Sequence, residues 1–171
     1  MQRGGNEGRR SRNRVTIEEL YDELTERSAD GRTVVVEPGD STAAPGVRTQ
    51  RLVRGVVDDL FPEGSFTFDE ALVKDNLDEL LLVLVGIRES KTHGKALMGD
   101  LARSFDSQLS PGTVYPRLHG LATSGLLTPQ EMVRTKEYRL DERAEVVGRL
   151  ERSMRQHLTL AAVLYAALEE L

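Results

Sequence analysis

The side chains whose types and spacing suit chemistry on another molecule crowd into "LSPGTVYPRLHG", residues 109–120. Thr113 offers a hydroxyl, Tyr115 a phenol and Arg117 a guanidinium, groups that hydrogen-bond base edges and phosphate oxygens. Val114, Leu118 and Leu121 recur at helical spacing among them, which predicts a helix. Ser110 suits its N-cap, and Pro111 then takes the first position, where a missing N–H is harmless. Gly112 and Pro116 have no such reason to be there, because glycine lowers helix propensity and bares the backbone while Pro116 removes an amide hydrogen bond. Stability asks for neither; close approach of another molecule to the helix end does. The plainer reading of Ser110, Thr113 and Arg117 is a cap and a solvated face, with Tyr115 in the core.

Other chemistries lack an anchor. The chain has no cysteine, which excludes disulfides, thiolate metal sites and thiol catalysis. His93, His119 and His157 lie 26 and 38 residues apart, with no pairing that puts two ligands on one helical face. No GxGxxG, GxxxxGK[ST] or GxSxG run occurs, so neither a phosphate loop nor a nucleophile elbow is expected. The expectation is a protein that is not an enzyme and holds no metal or cofactor.

The net charge of −5 at first argues against a nucleic-acid partner, but its distribution does not. Residues 1–14 carry +4, 15–90 carry −10, 91–140 carry +3 and 141–171 carry −2. The basic surplus falls on the stretch with the odd helix, as a local nucleic-acid footprint in an acidic protein would. The longest apolar run, "LLLVLVGI", has eight residues, far short of the ~20 that cross a bilayer. The Arg-rich start is not followed by an apolar signal region, so a cytoplasmic protein with no membrane segment is expected.

Along the chain, residues 1–14 read as a basic disordered tail and 15–68 as an acidic N-terminal extension of unknown role. Within it "TIEELYDELTERSADG" predicts a helix capped by Thr16, "TVVVE" a strand, "EPGDSTAAPG" a loop and "VRTQRLVRGVVDDLF" a second helix. From Asp69, "FDEALVKDNLDELLLVLVGIRES" reads as one helix, and "KALMGDLARSF" as the next, with Leu97, Met98, Leu101 and Phe105 on one face. The four-residue turn "DSQL" leads into the helix from Pro111 to about Ser124. Segments around Leu126–Val133 and Lys136–Leu140 form a hairpin with Arg134 and Lys136 at its tip. The rest is one long helix carrying a stripe of Val147, Leu150, Met154, Leu158, Ala161, Leu164 and Leu168.

This order predicts a mainly α fold with a small β-hairpin, a winged helix-turn-helix over residues 69–140 and a long C-terminal dimerisation helix over 141–171. In such a domain the recognition helix pushes its N-terminal end into the major groove of double-stranded DNA, which accounts for the bare backbone at Gly112 and Pro116. A final helix of about 30 residues is ~45 Å long, more than one small domain covers, so Met154, Leu158, Ala161, Leu164 and Leu168 are expected in a homodimer interface.

Four runs, "HGKALMGDL", "LSPGTVYPRLHGL", "SGLL" and "KEYRL", resemble the PadR-like family of transcriptional regulators. The SPGTVYP run is the specific one; the others are common to many winged helices. The resemblance covers roughly 76–171 and implies a dimeric repressor or activator of DNA transcription, with small aromatic effectors or drugs in some members. Lys95, Ser110, Gly112, Thr113, Tyr115, Pro116, Arg117, Arg134 and Lys136 are expected against DNA, in a homodimer whose symmetry predicts an inverted repeat, with repression as the expected sense. Lys95 stands where the family usually has tyrosine, and the hairpin is shorter than in many members. The arginine bias, lack of cysteine and acidic balance resemble versions from halophilic archaea. The competing reading is a winged-helix adaptor that binds proteins and not DNA.

Overall fold

A computed structural model describes residues 46–61, 66–88, 90–168 and 170. The tail, helix, strand and most of the loop expected before residue 46 lie outside the described residues. The first described helix, α1 (Val47–Leu60), begins after Gly46, whose left-handed φ of 96° suits glycine. A Cβ at Gly46 would collide with the Asp100 carboxylate, so the absence of a side chain lets the start of α1 sit against that group. Val53 faces the shared core and Thr49 is fully buried. Part of the segment read as an acidic N-terminal extension therefore packs with the winged domain.

The single helix expected from Asp69 is two, α2 (Glu70–Asp75) and α3 (Leu77–Ile87), broken at Asn76. Asp69 caps the first by accepting from the amides of Ala71 at 2.7 Å and Leu72 at 3.3 Å. The Asn76 amide side chain donates to the Leu72 carbonyl at 2.9 Å, closing α2, while its own carbonyl accepts from the Leu80 amide at 3.0 Å and opens α3. An Asn that bonds its own preceding turn competes with helix continuation. Apolar periodicity runs through such a break without recording it.

α4 (Gly94–Phe105) and α5 (Pro111–Thr123) are the two short helices of the expected motif. Leu97, Leu101, Phe105, Val114, Leu118 and Leu121 point inward and meet Leu77, Leu81, Leu82, Leu84 and Val85 of α3. Each such leucine removed from water contributes about 1.5–3 kcal/mol. Strands β1 (Leu127–Glu131) and β2 (Lys136–Leu140) pair antiparallel, Leu127 opposite Leu140 and Glu131 opposite Lys136. The first strand is shorter than expected, because residues 132–135 form the tip, closed by the Met132 amide on the Thr135 carbonyl at 2.8 Å. The other edge of β2 receives a one-residue bridge from His93 to Glu137, and the Thr92 hydroxyl accepts from the Tyr138 amide at 3.2 Å.

The last helix, α6 (Arg143–Leu168), has 26 residues and is therefore about 39 Å long. Val146 is buried and Leu150 packs partly against the core. Beyond them Leu160, Val163, Leu164, Tyr165 and Leu168 are all more than half exposed. Among the described residues no helix is long and apolar enough to cross a membrane.

Candidate nucleic-acid interface

The entry to α5 is built by local chemistry. Ser110 Oγ accepts from the Thr113 amide at 3.2 Å and lies 3.0 Å from Thr113 Oγ1. The hydroxyl expected to reach bases thus starts out engaged with the cap. Pro116 lies inside the helix, so the Gly112 carbonyl has no amide four residues on to bond it. A Cβ at Gly112 would meet nothing nearer than Ser110 Oγ at 3.7 Å. Packing within the chain therefore does not require glycine there.

With Val114, Leu118 and Leu121 inward, the 3.6-residue repeat turns Gly112, Pro116, His119 and Thr123 outward, and all four are exposed. Tyr115 and Arg117 occupy the two flanks. The Tyr115 ring lies over Gly94, where a Cβ would come within 2.6 Å of Cε1 and 3.0 Å of the hydroxyl. Tyr115 is still 45% exposed, so neither of its two alternative readings, core or surface, describes it alone. Arg117, half exposed, directs Nη1 to Asp78 Oδ1 of α3 at 3.5 Å. Sequence spacing gave no sign of this pair, because the partners are 39 residues apart.

Around this helix stand the other expected residues. His93 caps α4, its Nδ1 accepting from the Ala96 amide at 3.3 Å, and exposed Lys95 follows in the first turn. Arg134 lies exposed in the hairpin tip, and Lys136 at the start of β2 forms a loose surface pair with Glu131 at 3.6 Å. Lys95, Ser110, Gly112, Thr113, Tyr115, Pro116 and Arg117 thus belong to the paired helices, and Arg134 and Lys136 to the wing beside them. Residues 82–149, from α3 into α6, match the model of the transcriptional regulator PadR-like family.

This segment is similar to PadR-like domains. The chain is also 38% identical over 104 residues to transcriptional activator GvpE1 of Halobacterium salinarum, covering 61% of this chain and 54% of that protein. It is 38% identical over 100 residues to transcriptional activator GvpE of Haloferax mediterranei, covering 58% and 52%. The chain spans about half the length of the curated relatives it matches. No solved structure matches it. The resemblance to the family and to halophilic archaeal versions, read from the SPGTVYP run and composition, agrees with these matches.

Two side-chain groups in and beside this segment have no signature in the sequence. Arg149 of α6 donates through Nη2 to Asp78 Oδ2 at 3.1 Å and through Nε to Glu79 Oε1 at 3.0 Å. Asp100, fully buried, pairs with buried Arg88 and with Arg103. Two acids at the start of a helix are ordinary partners of its dipole, so Asp78 and Glu79 gave no reason to look further.

Tyr138 on β2 is 6% exposed, and burial first, then the neighbouring Tyr115, push its hydroxyl above the ordinary value of 10.0. A raised pKa in the folded state means stability is intact below the unfolded tyrosine value near 10 and is lost as pH rises through the folded one. Tyr138→Phe is expected to lessen the fall in urea midpoint between about pH 9 and 11. An unchanged alkaline fall in that variant would remove Tyr138 as its source.

Proposed function

We propose that the protein is a sequence-specific, double-stranded-DNA-binding transcriptional regulator that acts as a symmetric homodimer on an inverted repeat. The observation that carries this reading is the outward face of α5: a bare Gly112–Pro116 backbone on a capped helix start, with Thr113 and Arg117 on one side and Tyr115 on the other. Exposed Lys95, Arg134 and Lys136 suit phosphates at the margins. The apolar end of α6 suits a second copy, and a two-fold axis would set the recognition helices in successive major grooves about 34 Å apart. The relatives named transcriptional activators favour activation over the repression that the sequence led one to expect.

The test is titration of the full chain and two variants against the best selected duplex, its single-base variants and a random duplex at several salt concentrations. Arg117→Ala is expected to weaken the best site by about 1–3 kcal/mol and relax preference at one base position. Lys136→Ala is expected to weaken all duplexes about equally and flatten the salt slope by about one unit. If the full chain shows no salt-dependent duplex binding, the DNA-binding reading fails and the adaptor reading gains.

A further inference from the structure

Asp78 is shared between two helices. One carboxylate oxygen faces Arg117 of α5 at 3.5 Å, and the other accepts from Arg149 of α6 at 3.1 Å. Arg149 is itself fixed by Glu79 at 3.0 Å, so the carboxylate is anchored on the side away from Arg117. The anchored oxygen is also the shorter contact. Asp78 is 23% exposed and Arg149 30%, whereas Arg117 is 50% exposed. The arginine is therefore held loosely by a firmly held acid.

Resting on the DNA-binding reading above, we infer that Asp78 is a specificity-determining residue: it positions Arg117 and competes with DNA for its guanidinium. A free arginine on a helix flank reaches any phosphate within range and gains affinity without regard to sequence. With Asp78 beside it, Arg117 leaves the carboxylate only for a site that replaces the lost contact, and a bidentate guanine does so better than a passing phosphate. Discrimination arises because the wrong site is penalised as well as the right one rewarded. Arg149 keeps the carboxylate from following Arg117 outward, and through it α6 is joined to the base-reading helix by side chains of α3.

Asp78→Asn is expected to raise affinity for random duplex more than for the best site, shrinking the ratio between them about tenfold. Glu79→Gln changes the charge by the same amount but, among the described residues, reaches Arg117 only indirectly through Arg149, and should shrink the ratio by clearly less than Asp78→Asn does. In an Arg117→Ala background Asp78→Asn should change the ratio no further. The readout is fluorescence anisotropy of full-length variants on both duplexes, with urea midpoints measured alongside. A purely structural role would lower the midpoint and leave the ratio alone, which overturns the inference. So does an equal fall in ratio for Glu79→Gln, or a fall that persists without Arg117. If the unaltered chain binds duplex with no sequence preference, the proposed function fails together with this inference; if it discriminates and Asp78→Asn discriminates equally, the inference alone fails.

Discussion

Replacing Asp100 by Ala is expected to destabilise the protein by about 3–5 kcal/mol, the loss typical of breaking a buried ion pair from one side. Asp100 is fully buried, and the Arg88 side chain beside it is only 4% exposed. Without the carboxylate, Arg88 keeps a bond from Nε to the Ser90 carbonyl at 3.3 Å and otherwise holds a charge away from water. The variant also removes the group against which Gly46 seats the start of α1. Chemical denaturation of the two proteins at the same pH measures the difference. Asp100→Asn should fall between them, since it retains the shape and part of the hydrogen bonding. A loss below about 1 kcal/mol for the alanine variant would mean that Arg88 finds water, and that the cluster is worth no more than a surface pair.

Leu164→Glu is expected to have the largest effect on DNA binding of any change outside the interface with DNA. Leu164 is 59% exposed on the outer half of α6, in line with Leu158, Ala161 and Leu168 along the helix. Leu160 and Val163 widen the apolar surface beyond that line. An exposed apolar surface of this kind suits an interface, and the proposed occupant is a second copy of the chain. A carboxylate there makes like charges meet across a two-fold axis in an apolar seam. Sedimentation at micromolar concentration should show the unaltered chain as a dimer and the variant as a monomer. Affinity for the two-half-site operator should fall by roughly 10²–10⁴, the advantage that linked half-sites confer, while affinity for random duplex changes less. A monomeric unaltered chain, or a variant that remains dimeric, would contradict the proposed assembly.

Much of the domain was legible because its signals are local. Ser110 followed by Pro111, the inward series Leu97, Leu101 and Phe105, and the two short segments of the hairpin with only a couple of residues between them each carry their structure within a few residues. The misread elements depend on contacts that periodicity does not encode. Asn76 ends one helix and begins the next through two hydrogen bonds, in the middle of a continuous apolar pattern. The bridge from His93 to Glu137 is one residue long, too short to register as a strand. α1 joins the core through Gly46, Thr49 and Val53, small or medium side chains in a segment whose acidic charge and turn residues set it apart from the periodic core. For the candidate site, residue types and neighbourhood were readable from the SPGTVYP run, whereas the direction of Arg117 was not. That direction depends on Asp78, which sits at a position where an acid already has an ordinary explanation.

The seating of the Tyr115 ring on Gly94 has a consequence for motion. The glycine at the start of α4 carries no side chain to act as a spacer, so a flank of α5 closes directly onto α4, and Leu97, Leu101, Val114 and Leu118 fill the space behind. Rotation of α5 about its own axis would have to lift an aromatic ring and separate that packing at once. The two helices are thereby coupled into one opening unit, in the sense in which contiguous packed elements exchange their amide hydrogens together. The slowest amides of α4 and α5 then share one opening free energy, while those of the hairpin tip at 132–135, which no buried side chain anchors, exchange by fluctuations of their own. In the proposed DNA-binding role, the helix pair would meet a duplex as one rigid body and the hairpin tip would adjust to it.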